Sequence, residues 1–200
     1  ELADTRYDGL STYSEPGGIR VAVVGTLKGD NSGFSAIVNQ LNDDTDFDFS
    51  AALVTASQVD TLKELGSYDV LVIGNYGDIA GDDFGQFAAT LAPWVEAGGG
   101  LVATGWTIGG TGNETEETIK ALNEVLPVVV PNPTPGSAEA GFVTFVVSDH
   151  PVSKGVSDFR LGANDYVEYP LNGAHKGASI LATTEKLFSV AVREVAAGRS

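Results

Sequence analysis

The stretch Ile19-Arg20-Val21-Ala22-Val23-Val24-Gly25 decides how this chain is read. Apart from Arg20 it is a continuous apolar, mostly β-branched run closed by glycine, the pattern of a strand buried on both faces. Three later stretches repeat it: DFSAALV (48–54), YDVLVIGN (68–75) and LVATG (101–105). Between them, apolar residues recur at helical spacing. Phe34, Ile37, Val38 and Leu41 follow Ser32 as N-cap, and Val59, Leu62 and Leu65 follow Ser57 in the same role. A longer helix is expected from Asp82 to Ala97, with Phe84, Phe87, Ala88, Leu91, Trp94 and Val95 in the core, a kink or restart at Pro93, and Gly98 to Gly100 as its stop. Strands alternating with helices at this pitch imply right-handed βαβ units and a parallel sheet.

Further along, a helix is expected over Glu116–Val125, and GFVTFVV (141–147), ASILATT (178–184) and LFSVAVRE (187–194) read as strands. The predicted fold is therefore α/β: a three-layer sandwich with a flavodoxin-like, mostly parallel sheet and added antiparallel strands in the C-terminal half. Residues 1–18 lack periodicity and end in Glu15-Pro16-Gly17-Gly18, which reads as an entry linker, leaving 19–200 as one domain. The Gly198-Arg199-Ser200 end is expected to begin a hairpin whose second strand lies beyond it, so that the C-terminal sheet edge is covered by another segment or chain.

Composition narrows the function classes. With 27 acidic against 11 basic residues, the formal charge is −16, which argues against nucleic acid and anionic membrane surfaces. No apolar stretch approaches the roughly 20 residues needed to cross a bilayer, so no membrane insertion is expected. Small molecules, cations and proteins remain as partners. The chain has no Cys and no Met. Without a thiol there is no disulfide, no thiolate metal site and no cysteine nucleophile. With no Met, residue 1 is expected to be the start of a processed or excised piece. Acidity, absent sulfur and 25 glycines together suggest an extracellular or cell-surface location.

Gly105-Trp106-Thr107-Ile108-Gly109, directly after the LVATG strand, has the glycine spacing of a nucleophile elbow. Together with YDVLVIGN and the helix ending in Gly98-Gly99-Gly100, it resembles the class I glutamine amidotransferase-like fold. SDHPVSKGVSDF (148–159) followed by NDYVEY (164–169) is similar to the trehalose-utilisation-protein-like, or ThuA-like, branch. The resemblance implies an elbow cysteine partnered by a His-Pro-Glu run. The matching positions here are Thr107 and His150-Pro151-Val152, so the chain resembles a family member that lacks the catalytic cysteine. Similar modules occur as non-catalytic domains of large bacterial surface proteins and as the trimerisation domain of some β-galactosidases.

Thr107 as nucleophile and His150 as its base are the candidate catalytic residues. The competing reading is an inherited elbow without chemistry, with His150 ordering its own turn and His175, in NGAHKG, exposed. Ligand binding is expected where doubly wound folds place it, at the carboxyl ends of the strands, which brings in Thr26, Asn75, Tyr76, Thr104 and Trp106, the last as a platform for a carbohydrate ring. No phosphate-cradle spacing is present and no cofactor is implied, with calcium the one candidate ion. Asp44, Asp46 and Asp48 alternate in NDDTDFD, and Asp78 and Asp82 lie in YGDIAGDD; Asp82 also reads as a helix cap. The leading functional expectation is a non-catalytic module of a larger secreted or surface protein, serving structure, assembly with other domains or chains, or ligand binding. The alternatives are a hydrolase on sugar or ester substrates and a calcium-dependent adhesive or scaffold module.

Overall fold

The computed structural model describes residues 18–25, 32–45, 47–74, 82–111, 114–130, 136–139, 141–162, 166–169, 173–184 and 187–199. The buried run at the start is strand β1 (Ile19–Val24), followed by helix α1 (Ser32–Asn42) and β2 (Phe49–Val54). After a 3₁₀ turn (Ala56–Gln58) come α2 (Leu62–Leu65), β3 (Val70–Ile73), α3 (Asp82–Glu96), β4 (Gly100–Ala103), α4 (Gly105–Gly110) and α5 (Glu116–Val125). The rest is strand: β5 (Gly136–Glu139), β6 (Phe142–Phe145), β7 (Phe159–Arg160), β8 (Tyr166–Tyr169), β9 (Ser179–Thr184), β10 (Leu187–Val192), β11 (Glu194–Val195) and β12 (Gly198–Arg199).

The main sheet runs β2-β1-β3-β4-β12-β11, and every pair in it is parallel except the β11–β12 hairpin. This is the flavodoxin-like order expected from the βαβ alternation. Because side chains alternate across a strand, the sheet separates its apolar residues into two cores. Ala22, Val24, Val54, Leu71, Ile73 and Leu101 face Leu91 and Val95 of α3 and Leu122 and Val125 of α5. Val21 and Val23 face Phe34 of α1, with Val70 and Val72 partly buried beside them. Burying a side chain of this size fully contributes about 1.5–3 kcal/mol, and β1 buries three valines, Val21, Val23 and Val24.

The C-terminal strands are added in two ways. The hairpin joins the parallel sheet, whereas β10, β9, β6 and β7 form a separate antiparallel sheet and β5 pairs with β8. LFSVAVRE thus divides between two sheets, β10 pairing with β9 and β11 with β12. Gly198-Arg199 is the return strand of that hairpin, held between β11 and β4. A Cβ on Gly198 would overlap the Val95 carbonyl oxygen and lie 2.6 Å from that of Gly99, so the hairpin rests directly on the end of α3.

Several local expectations are corrected. Ser32 opens α1 from inside the helix. Ser57 caps nothing: Thr61 accepts from the Glu64 N–H at 3.2 Å and caps α2. With only one turn available, α2 turns Leu65 inward and leaves Leu62 exposed. α3 does not restart at Pro93 but runs through it unbroken to Glu96. Trp94 is buried as expected, its indole filling the place where a Cβ on Gly99 would lie.

Two side-chain devices finish the sheet. At the amino-terminal edge Asp69 accepts from Arg20 Nε (3.0 Å), Nη2 (2.8 Å) and backbone N–H (2.8 Å), stitching β1 to β3. On the outer rim, the backbone of Ala51 in β2 donates to Asn42 Oδ1 (2.7 Å) and accepts from Asn42 Nδ2 (3.0 Å).

Candidate functional site

β4 passes into α4 with a single residue, Thr104, between them, so the strand-to-helix junction falls three residues before Thr107, the centre of the expected elbow. Thr104 is extended (φ −85°, ψ 168°) and its Oγ1 donates to the Gly74 carbonyl at 2.5 Å. One turn on, Thr107 Oγ1 donates to the Ile73 carbonyl at 2.9 Å, which also takes the Thr104 N–H at 3.2 Å. Thr111 Oγ1 closes the series on the Ile108 carbonyl at 2.8 Å. Spacings of three and four residues put all three hydroxyls on one helical face, and Thr104 and Thr107 tie α4 to the end of β3. That face was not noticed in the sequence, although the Thr-x-x-Thr-x-x-x-Thr spacing was its signal.

Thr107 as nucleophile is corrected by this geometry. Its side chain is 0% exposed and its proton is committed to a backbone carbonyl. An elbow nucleophile sits in a strained turn that lifts it to the surface. Here α4 simply continues, and Ala196 is the one non-glycine residue with positive φ among those described. A β-branched residue resists that strained backbone, so the chain forms a helical first turn instead.

His150 lies between β6 and β7, where it orders its own turn. Its Nδ1 accepts from the Val152 N–H (3.2 Å), and its carbonyl accepts from Ser153 N–H (2.9 Å) and Lys154 N–H (2.8 Å). That is the structural reading weighed against the catalytic one, and these contacts join it to its own loop, not to Thr107.

Of the expected ligand-binding residues, Thr104 holds the β3–β4 edge, and Trp106 belongs to α4 by its backbone. Thr26, Asn75, Tyr76 and the Trp106 side chain lie outside the described residues. So do Asp46 and Asp78 of the two acidic loops. Asp44 Oδ1 accepts from the Phe47 N–H at 2.7 Å, and the Asp48 carbonyl takes the Ile19 N–H at 2.7 Å. Asp82 is the first residue of α3 and not the cap before it. Among the described residues no group of three or more His, Asp or Glu side chains is placed to hold a metal ion.

His175, expected to be exposed, is half-buried, with Nε2 3.0 Å from Asn123 Oδ1. Burial and the nearby positive charge of Arg193 hold its pKa below the ordinary histidine value of 6.5. Nothing in NGAHKG signals this, because the partner lies on α5.

Parallel strands in this order, helices on both faces and an attached antiparallel sheet define a doubly wound α/β domain. Among solved structures, the chain is similar to two cytoplasmic proteins of Salmonella typhimurium. One has a TM-score of 0.60 and 17% identity, the other 0.59 and 19%, each match covering 90% of this chain and 85% of the other. It is similar also to a ThuA-like protein of Bacteroides uniformis, with TM-score 0.56 and 14% identity over 84% of this chain and 68% of that one. At these identities the likeness is one of fold. No family model and no curated protein matches the chain. The two Salmonella proteins are cytoplasmic, which points away from the extracellular or cell-surface location expected from composition. Acidity and absent cysteine suit a reducing compartment equally well, so they never discriminated.

Proposed function

We propose that the chain is a non-catalytic module of ThuA-like fold whose role is assembly or ligand binding within a larger protein or complex. The burial of Thr107 carries this reading: the residue that the sequence resemblance sets against the family's elbow cysteine is buried in α4 and serves as a staple between α4 and β3. A nucleophile needs an adjacent base and a path to substrate, and this hydroxyl has neither among the described residues. A ligand would meet the carboxyl edge of the sheet, beyond Gly25, Gly74 and Thr104, where folds of this topology place their crevice.

The test uses the absence of cysteine. Thr107→Cys gives the protein its sole thiol. In the native state that thiol is expected to react with an aryl disulfide at least about 100-fold more slowly than in denaturant, because reaction must await local opening. Native labelling at the unfolded rate overturns the reading. So does turnover of aryl esters or glycosides by the unmodified protein that His150→Ala abolishes.

A further inference from the structure

We propose that Asn123, His175 and Arg193 form a pH-sensitive latch that fastens the end of α5 to the antiparallel part of the molecule, closed while His175 is neutral and loosened when it becomes charged. Three segments meet at Asn123. Its side chain clamps the backbone of Val130, Oδ1 accepting from the N–H at 2.9 Å and Nδ2 donating to the carbonyl at 2.6 Å. That clamp fixes which end of the amide is oxygen. His175 Nε2, 3.0 Å from the same Oδ1, is therefore the donor, and the neutral ring carries its proton on Nε2. Arg193 Nη1 donates to the carbonyls of Asn123 (3.0 Å) and Leu126 (3.1 Å), at the carboxyl end of α5 where a cation is favoured. Backbone bonds complete the seam: His175 N–H to Pro127 O and Val129 N–H to Gly173 O, both 2.9 Å, with Val128 bridging Ala174.

A second proton on the ring goes to Nδ1. It does not break the Nε2–H bond, but it sets an imidazolium beside a guanidinium in a half-buried seam. Among the described residues the charge recorded as acting on the ring is that of Arg193, a positive one. From α5 come Lys120 and Glu124, from the histidine's own loop Lys176, and from the link after β10 Glu194, all exposed, whereas Leu126 to Val130 bring no charge. Burial, and after it the charge of Arg193, disfavour the charged ring. The sign follows from linkage: the unfolded chain binds the proton more readily, so the latch is at full strength above about pH 6.5 and weakens as pH falls below it.

Only two histidines need be resolved, so imidazole NMR titration reads the site directly. His175 is expected to titrate below pH 6.5 and to move upward in Arg193→Gln. Between pH 7.5 and 5.5, exchange protection at the Val129, Val130 and His175 amides is expected to fall relative to that of β1, by up to about tenfold for each unit of depression. His175→Gln keeps a neutral donor and is expected to lose that pH dependence, while His150→Gln retains it. A His175 that titrates at or above the ordinary value, or a His175→Gln protein with the unmodified pH dependence, overturns the proposal. The titration of the unmodified protein decides even if a variant fails to fold.

Discussion

Replacing Gly198 by alanine is expected to destabilise the protein by about 2–4 kcal/mol although it adds one methyl group. The new Cβ would overlap the Val95 carbonyl oxygen and stand 2.6 Å from the Gly99 oxygen, both backbone atoms that no rotamer change can move. Either the hairpin lifts off the end of α3 or α3 shifts. Lifting the hairpin forfeits the β12–β4 pairing at Arg199 and Gly100 and the Ala197 N–H bond to Glu96, worth about 0.5–1.5 kcal/mol each. Forced repacking of a close contact adds about 1–3 kcal/mol. Urea and thermal unfolding measure the sum, and a domain of this size should lose roughly 2–4 °C per kcal/mol. Gly33→Ala is the control. Gly33 lies in α1 with nothing within 4 Å of an added Cβ, so alanine there should be neutral or stabilising by about 0.5 kcal/mol. If Gly198→Ala costs less than about 0.5 kcal/mol, the close approach is not what selects glycine at this position, and the argument fails.

Ala196, at φ 49°, turns the same hairpin in a conformation that costs an L-residue about 1–2 kcal/mol, so Ala196→Gly should raise the urea midpoint by the equivalent of about 0.5–1 kcal/mol. Burial raises the pKa of Asp69, but the Arg20 hydrogen bonds and charge outweigh it and hold the value below 3.8. Asp69→Asn should therefore cost about 0.5–1 kcal/mol at neutral pH, with the deficit shrinking as pH falls below about 4, measured by denaturation at pH 7 and pH 3. Thr107→Val keeps the shape and loses the bond to Ile73, so it should cost about 1 kcal/mol by denaturant unfolding.

The parallel core was legible because Val21–Val24 of β1 and Val70–Ile73 of β3 are short continuous apolar runs bounded by turn signals, the pattern of a strand covered on both faces. The expected Glu116–Val125 helix matches α5 residue for residue, its Thr115 cap accepting from the Thr118 N–H. Less could be read of the C-terminal half. GFVTFVV and ASILATT were visible as strands, but whether they extend the parallel sheet or found their own is decided by pairings such as Val143 with Thr184, far apart in the chain. β7, two residues long, leaves no periodicity to detect. At the site, glycine spacing put the turn at Gly105–Gly109, whereas the strand ends at Ala103 and α4 already begins at Gly105, and it could not show that Thr107 points inward. His175 was misread for a related reason: its partner is 52 residues away, and a turn-like local sequence says nothing about what covers it.

The Asn42–Ala51 clamp bears on how this chain behaves in a crowded solution. In an edge strand every second residue turns its N–H and C=O outward, a template on which another chain can stack and grow a fibril. In β2 the central outward pair is already spoken for by an amide from its own chain. The two residues are nine apart, so the seal closes a short loop, and closing it sacrifices little entropy. It is expected to form early, before the slower pairing of distant strands, and to deny passing chains a docking rim while the rest of the sheet is still assembling.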